Sequence, residues 1–318
     1  MTRPTRLRLA TRGSPLALIQ AGIVAASLEA HFASQGEERP VIERVVVRTE
    51  GDLRHDADLD RIGGQGVFVK EVQTAVLERR AEVAVHSAKD LPPVAAEGLT
   101  LAAVPGRADP RDALVGRPLF DLRPGAVVAT GSARRRAQLA NLRPDLVFAS
   151  LRGNMARRLD HARDGSADGV VAAAAALDRL GWQDRIAERL PCSWCLPQVG
   201  QGALALECRE DDAEALAALG ALDDPEEHRV LLAERAFLAA LGAGCRLPVA
   251  ARGETLGPDG GIRLQGMIAS GDGRIVVRGE RSGVEPAALG AGLARHLLVD
   301  RGASAIEQWD AALTGTER

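Results

Sequence analysis

Tyrosine is absent from this 318-residue chain, and aromatic side chains make up only 3% of it. Single-stranded nucleic acid is commonly held by stacking bases on such rings, so this scarcity disfavours a stacking platform. Lysine is almost missing too. Of forty basic residues only Lys70 and Lys89 are lysines, and the rest are arginines. Cysteine is scarce, four residues in no regular framework, which fits a reducing cytosol and not a disulfide-stapled domain. Neither sign of charge dominates: the formal net charge is −3, which argues against a protein that coats nucleic acid. No apolar run approaches the ~20 residues that span a bilayer. The segment Met1–Arg12 alternates basic and polar residues without a hydrophobic signal core. A Walker-type glycine-rich loop ending in Lys-Ser/Thr is missing as well, which disfavours a nucleoside triphosphate.

What is present is enough apolar content, 46%, for two or three domains. The first two-thirds alternates short apolar runs with helical patterns. Leu7–Ala10, Val45–Val47, Val83–His86, Ala126–Ala129, Leu146–Ala149 and Gly169–Ala173 read as strands. Helices are expected from Pro15 to about Ala30, Lys70–Arg80, Arg134–Asn141 and Met155–Arg163, with Ser14 as N-cap and Pro15 as first helical residue. This βαβ alternation implies parallel sheets with helices on both faces. The last third changes character. A helix over Glu226–Leu241 precedes two alternating runs, Ile262–Ile268 and Arg274–Arg278. The hairpin signal Ser270-Gly271-Asp272-Gly273 separates them, and a helix over about Pro286–Val299 follows. That pattern reads as a small α+β domain.

Three strand-to-helix turns carry polar residues: Arg12/Ser14, Thr130/Ser132/Arg134/Arg135, and Arg152/Asn154. In open α/β sheets ligands bind at the carboxyl ends of strands, and helix N-termini there attract anions. Arginines add flat forks suited to carboxylates or phosphates. Arg136 and Arg157 read as solvated helix faces. Asp90, in His86-Ser87-Ala88-Lys89-Asp90, is the candidate catalytic carboxylate, able to stabilise a cation or move a proton. Lys89 beside it supplies a compact charge where an arginine fork would not substitute. Cys245 lies in Gly242-Ala243-Gly244-Cys245-Arg246, an accessible loop where a thiol could be a nucleophile or an attachment point. Taken alone, the reading of Cys245 as a small buried residue wins. Cys192-Ser193-Trp194-Cys195 lacks the further ligands a structural zinc needs. Asp56, Asp58 and Asp60 start like a calcium loop, but Arg61 and Val67 stand where glycine and glutamate are required, so calcium is rejected. The polar segment Glu50–Gly66 reads as a mobile lid.

Seven motifs occur in one order: Thr11-Arg12-Gly13-Ser14-Pro15-Leu16-Ala17, His86-Ser87-Ala88-Lys89-Asp90-Leu91-Pro92, Asp109-Pro110-Arg111-Asp112-Ala113, Thr130-Gly131-Ser132-Ala133-Arg134-Arg135, Leu151-Arg152-Gly153-Asn154, Gly200-Gln201-Gly202-Ala203-Leu204 and Gly244-Cys245. In these the chain resembles the hydroxymethylbilane synthase (porphobilinogen deaminase) family of tetrapyrrole biosynthesis. The resemblance implies two doubly wound lobes like those of type-II periplasmic binding proteins and a small α+β domain that carries the cofactor. Expected boundaries are 1–104 with 202–220, 105–201, and 221–318. It implies a transferase, cytoplasmic and monomeric, without nucleic-acid or membrane partners, acting on porphobilinogen. A dipyrromethane would be bound covalently through Cys245. Porphobilinogen would lose ammonia, the free α-position of the bound chain would attack the resulting azafulvene, and water would release the tetrapyrrole. By the same resemblance Arg12, Arg134, Arg135, Arg152 and Arg158 bind pyrrole carboxylates, Ser14, Gln20, Ser87, Lys89, Thr130, Ser132 and Gln201 add donors, and Asp90 supplies the lone carboxylate. The chain departs from the family pattern at Gln65, where a lysine is common, at Ala250, and in its Cys192/Cys195 pair. The competing readings are a non-catalytic two-lobed anion-binding protein and an arginine-rich nucleic-acid binder.

Overall fold

The computed structural model describes residues 4–36, 40–47, 69–151, 153–242, 248–257 and 259–306. The lid reading of Glu50–Gly66, the Asp56/Asp58/Asp60 run and Gln65 lie outside those residues. The chain divides into two compact units: 1–108 with 202–228, and 109–201 with 229–318.

The first unit is built on a sheet of order β2-β1-β3-β10-β4, formed by β1 (Arg6–Arg12), β2 (Val41–Val47), β3 (Val83–Ser87), β4 (Leu99–Ala103) and β10 (Leu204–Arg209). Side chains alternate across a strand. Leu7, Leu9, Val83 and Val85 therefore pack on one face with Val24, Leu28 and Phe32 of α1 (Pro15–Ser34). Ala10 and Ala84 meet Val72, Ala75 and Val76 of α2 (Lys70–Leu77) on the other. Ser14 caps α1 as expected, its Oγ accepting from Ala17 N at 3.3 Å, with Pro15 opening the helix. Helix α1 also corrects the hydropathy reading: over 20 residues its mean hydropathy reaches 1.5, long and apolar enough to cross a membrane by length and composition. A core helix satisfies the same criterion, and α1 buries Ala21, Val24, Leu28 and Phe32.

The second unit holds two sheets. One has order β7-β6-β8-β5-β9, from β5 (Asp112–Gly116), β6 (Val127–Ala129), β7 (Val147–Ala149), β8 (Gly169–Ala173) and β9 (Ile186–Leu190). Its helices are α3 (Ala133–Leu142), α4 (Met155–Arg163) and α5 (Ala174–Arg179). The other sheet is antiparallel, β11 (Val249–Leu256), β12 (Gly261–Ala269) and β13 (Val276–Gly283). It packs on Val230, Ala233 and Phe237 of α7 (Pro225–Leu241) and Leu289 and Leu293 of α8 (Pro286–Arg295). The remaining helix, α6 (Ala213–Gly220), belongs to the first unit. The expected final helix ends at Arg295 and continues as a wider π-turn over His296–Asp300.

The expectation of parallel sheets holds only in part. Strands β1, β2 and β3 are parallel, as are β6, β7 and β8. Strand β10 runs antiparallel to β3 and β4, and β5 antiparallel to β8 and β9. Neither β10 nor β5 enters its sheet through a local βαβ crossover, so the constraint that keeps such strands parallel does not act on them.

The hairpin turn between β12 and β13 rests on α3. Arg136 Nη2 donates to Gly271 O and Asn141 Nδ2 to Gly273 O, both at 3.0 Å. Gly273 has φ +79°, and a Cβ there would lie 2.4 Å from Ala137 O. Substituting Gly273→Ala is therefore expected to cost about 1–3 kcal/mol, read as a lower urea midpoint at unchanged m-value; an unchanged midpoint would contradict the contact.

Candidate carboxylate-binding and active site

The polar residues of the first unit gather at the ends of β1 and β3. Arg12 ends β1, Ser14 caps α1, and Ser87 ends β3 immediately before the short 3₁₀ turn Ala88–Asp90. Gln20, buried on α1, donates from Nε2 to Ser87 Oγ at 2.8 Å. Arg12, Ser14, Gln20, His86, Ser87 and Asp90 line one small cleft of about 60 Å³. Asp90 is half-buried there and Lys89, its neighbour in the 3₁₀ turn, is half-buried too, whereas Lys70 is an exposed first residue of α2. Behind the cleft, buried His86 places Nε2 3.1 Å from Glu207 Oε2, which also accepts from Gln73 at 2.8 Å.

The second unit gathers a different set around Asp112, the fully buried first residue of β5. Arg134 Nη1 donates to Asp112 Oδ2 at 2.8 Å, and Arg135 Nε to Oδ1 at 2.9 Å. Gln201 Nε2 donates to Oδ1 at 2.9 Å, and the Cys195 thiol to Oδ2 at 3.3 Å. Burial would raise the Asp112 pKa, but the charges of Arg134 and Arg135 outweigh it and hold the carboxyl well below its ordinary value. Cys195 moves the other way: burial first, then the Asp112 charge, push its thiol up to about 12. The thiol thus stays protonated and donates. Arg134 and Arg135 sit in the first turn of α3, whose N-cap Ser132 accepts from Arg135 N at 3.4 Å. Thr130 Oγ1 accepts from Ser132 N at 3.2 Å. The turn is tight, since a Cβ on Gly131 would lie 2.6 Å from Leu151 O.

Arg158 on α4 is half-buried and donates from Nε to Gly153 O at 2.8 Å. Burial, and then the charge of Arg135, push its pKa down. Arg134 Nε is buried without a hydrogen-bond partner. Three guanidiniums thus lie around one carboxylate that two of them already share, and Arg158 sits beside a second cation, so the cluster can accept a further anion. A group carrying several carboxylates fits it.

The structure therefore brings together Arg12, Ser14, Gln20, Ser87, Lys89 and Asp90 in one unit, and Thr130, Ser132, Arg134, Arg135, Arg158 and Gln201 in the other. Arg152 and Cys245 lie outside the described residues. Arg136 is exposed, as read from the sequence, though it also anchors the hairpin turn. Sequence reasoning gave no role to Asp112, to the His86–Glu207 pair or to Cys195. Its place in Asp109-Pro110-Arg111-Asp112-Ala113 is the only signal that Asp112 carries in the sequence.

Two family models match: porphobilinogen deaminase, dipyromethane cofactor binding domain, over residues 7–217, and the porphobilinogen deaminase C-terminal domain over residues 229–299. The chain belongs to the porphobilinogen deaminase family. It is accordingly an enzyme, a transferase, with a domain that binds a dipyrromethane cofactor. Curated relatives named porphobilinogen deaminase agree over nearly full lengths. The one from Syntrophus aciditrophicus is 44% identical, covering 92% of this chain and 95% of its own. That from Roseiflexus castenholzii is 46% identical over 94% and 98%. That from Syntrophobacter fumaroxidans is 43% identical over 87% and 88%. Among solved structures, a YaeC-family lipoprotein from Enterococcus faecalis aligns with a TM-score of 0.41 at 12% identity, covering 70% of this chain and 93% of that one.

The depressed Asp112 carboxyl has a consequence for acid stability. An unfolded aspartate titrates near ~3.9. As pH falls through that value the unfolded chain takes up a proton that the folded chain refuses, so stability present above about pH 4 is lost below it. Asp112→Asn is expected to flatten the acid limb of stability against pH; a limb as steep as wild type would show that other carboxylates carry it.

Proposed function

We propose that this chain joins four porphobilinogen molecules into the linear tetrapyrrole hydroxymethylbilane, losing ammonia at each addition and releasing the product with water. The observation that carries the reading is family membership across both matched domains, joined to a turn whose Arg134 and Arg135 share the single carboxylate of Asp112. The dipyrromethane supplies, when bound, the primer to which pyrrole units are added. Cys245 is its attachment point in this proposal. Each pyrrole brings an acetate and a propionate, so a growing chain accumulates carboxylates. Arg134, Arg135 and Arg158, with Arg152, hold carboxylates in the second unit, and Arg12 does so in the first. Thr130 and Ser132, and Ser14, Gln20, Ser87 and Lys89, add neutral or cationic donors in their respective units, whereas Gln201 commits both amide hydrogens to Pro110 O and Asp112 Oδ1 and acts through Asp112. Holding the chain this way orients reacting positions and limits their freedom.

Asp90 carries the chemistry. The cation that forms at a pyrrole nitrogen is stabilised by a nearby carboxylate, and the same group holds the proton in transit. Its place in a cleft beside Arg12, Ser87 and Gln20 supports this role. The division into domains at 1–104 with 202–220, 105–201 and 221–318 belongs to the same proposal and is supported by the three separate sheets. A cytoplasmic, monomeric enzyme without nucleic-acid or membrane partners completes it.

Intact mass of the purified protein should exceed the chain by one two-pyrrole unit, and Cys245→Ser should lack that excess. An unmodified mass from an active preparation would remove Cys245 from its role. Asp90→Ala should lower turnover by about 10²–10⁴-fold with an unchanged melting curve, because the half-buried residue lies at a cleft rim. Near-normal ammonia release from that variant would remove Asp90 as well.

A further inference from the structure

We infer that Asp112 is the positioning residue of the second unit's carboxylate site, holding Arg134 and Arg135 as a fixed pair that faces the ligand's acid groups. The inference rests on the proposed role of those two arginines as carboxylate binders. Asp112 accepts from three other segments: both arginines from α3, Gln201 from the 200–202 loop, and Cys195 from the 191–196 loop. Its two oxygens are divided between the guanidiniums, Oδ2 for Arg134 and Oδ1 for Arg135. Each arginine is also tied to a backbone carbonyl, Arg134 Nη1 to Leu196 O at 2.6 Å and Arg135 Nη1 to Val171 O at 3.2 Å. A guanidinium has five N–H donors in a rigid fork. Fixing some of them inward sets the direction of the others.

Stability alone is a poor reason for this arrangement. Buried ion pairs add little over well-packed apolar residues of the same volume. One carboxylate shared by two guanidiniums, with Arg158 close enough to feel Arg135, leaves an excess of positive charge that folding does not require. A ligand bearing several carboxylates does require it. Asp112 keeps two like charges side by side, yet leaves the pair cationic.

The test uses the holoenzyme and Asp112→Asn, which keeps shape and one acceptor oxygen but removes the charge. The KM for porphobilinogen is expected to rise about tenfold or more with kcat within threefold, and the fraction of purified chains carrying the two-pyrrole mass to fall. A lower melting temperature with wild-type KM and wild-type loading would show that Asp112 is only structural and would overturn the inference. If Asp112→Asn does not accumulate folded, Cys195→Ala decides, since it deletes just the thiol donor. A KM rise of twofold or more supports positioning, and an unchanged KM overturns it. Arg135→Leu separates this from the underlying reading. An unchanged KM there overturns both, whereas a raised KM beside an unaffected Asp112→Asn overturns the positioning role alone.

Discussion

A single buried carboxylate, Asp112, sets the order of the second unit's polar interior. It is fully buried at the start of β5, and two guanidiniums, an amide and a thiol close on it from three other segments. Removing one partner of such a cluster leaves a charge that the interior cannot solvate, so its members depend on one another. Gln138 extends the order outward: its Oε1 accepts from Leu196 N and from Arg278 of β13. The loop that brings Cys195 to Asp112 is thereby also tied to the antiparallel sheet.

The first unit solves a related problem with less charge. Its cleft sits at the carboxyl ends of two parallel strands, where β1 hands over to the capped start of α1 and β3 to a single 3₁₀ turn. Helix amides and hydroxyls contribute partial positive charge there, and Arg12 adds a full one. Asp90 lines that cleft half-buried, a setting unlike the fully buried clamp around Asp112. The two units thus differ in electrostatics: one places a half-buried aspartate in an open cleft, and the other shares a fully buried aspartate between two arginines.

Much of this was legible in the chain. Ser14-Pro15 announced a helix start, Met155–Arg163 and Gly169–Ala173 fall where periodicity placed them, and the hairpin signal at 270–273 lies between two paired strands. Strands β4, β5, β9 and β10 were not read as strands, and two of them reverse the expected sheet direction. Their sequences are short, and β9 and β10 carry charges (Glu188, Arg189, Glu207, Arg209) that break an apolar run, while direction in a sheet depends on where the chain returns from. The arginine-bearing turns were legible as anion sites because hydroxyls and guanidiniums at a helix start have one obvious electrostatic use. Asp112 was not, since one aspartate in a strand looks like any other until its partners converge.

The two lysines and the arginines around them show the same boundary. Sequence alone determined which residue types could meet carboxylates, which turns would present them, and, through ordered motifs, the family. Tertiary structure decided which charges are shared: that Arg134 and Arg135 turn inward onto Asp112, that Arg158 is left under the influence of another cation, and that Cys195 serves as a protonated donor. The physical reason is range. Helix starts and strand periods arise from neighbours a few residues apart, whereas a buried charge is defined by groups distant in sequence that exclude water together.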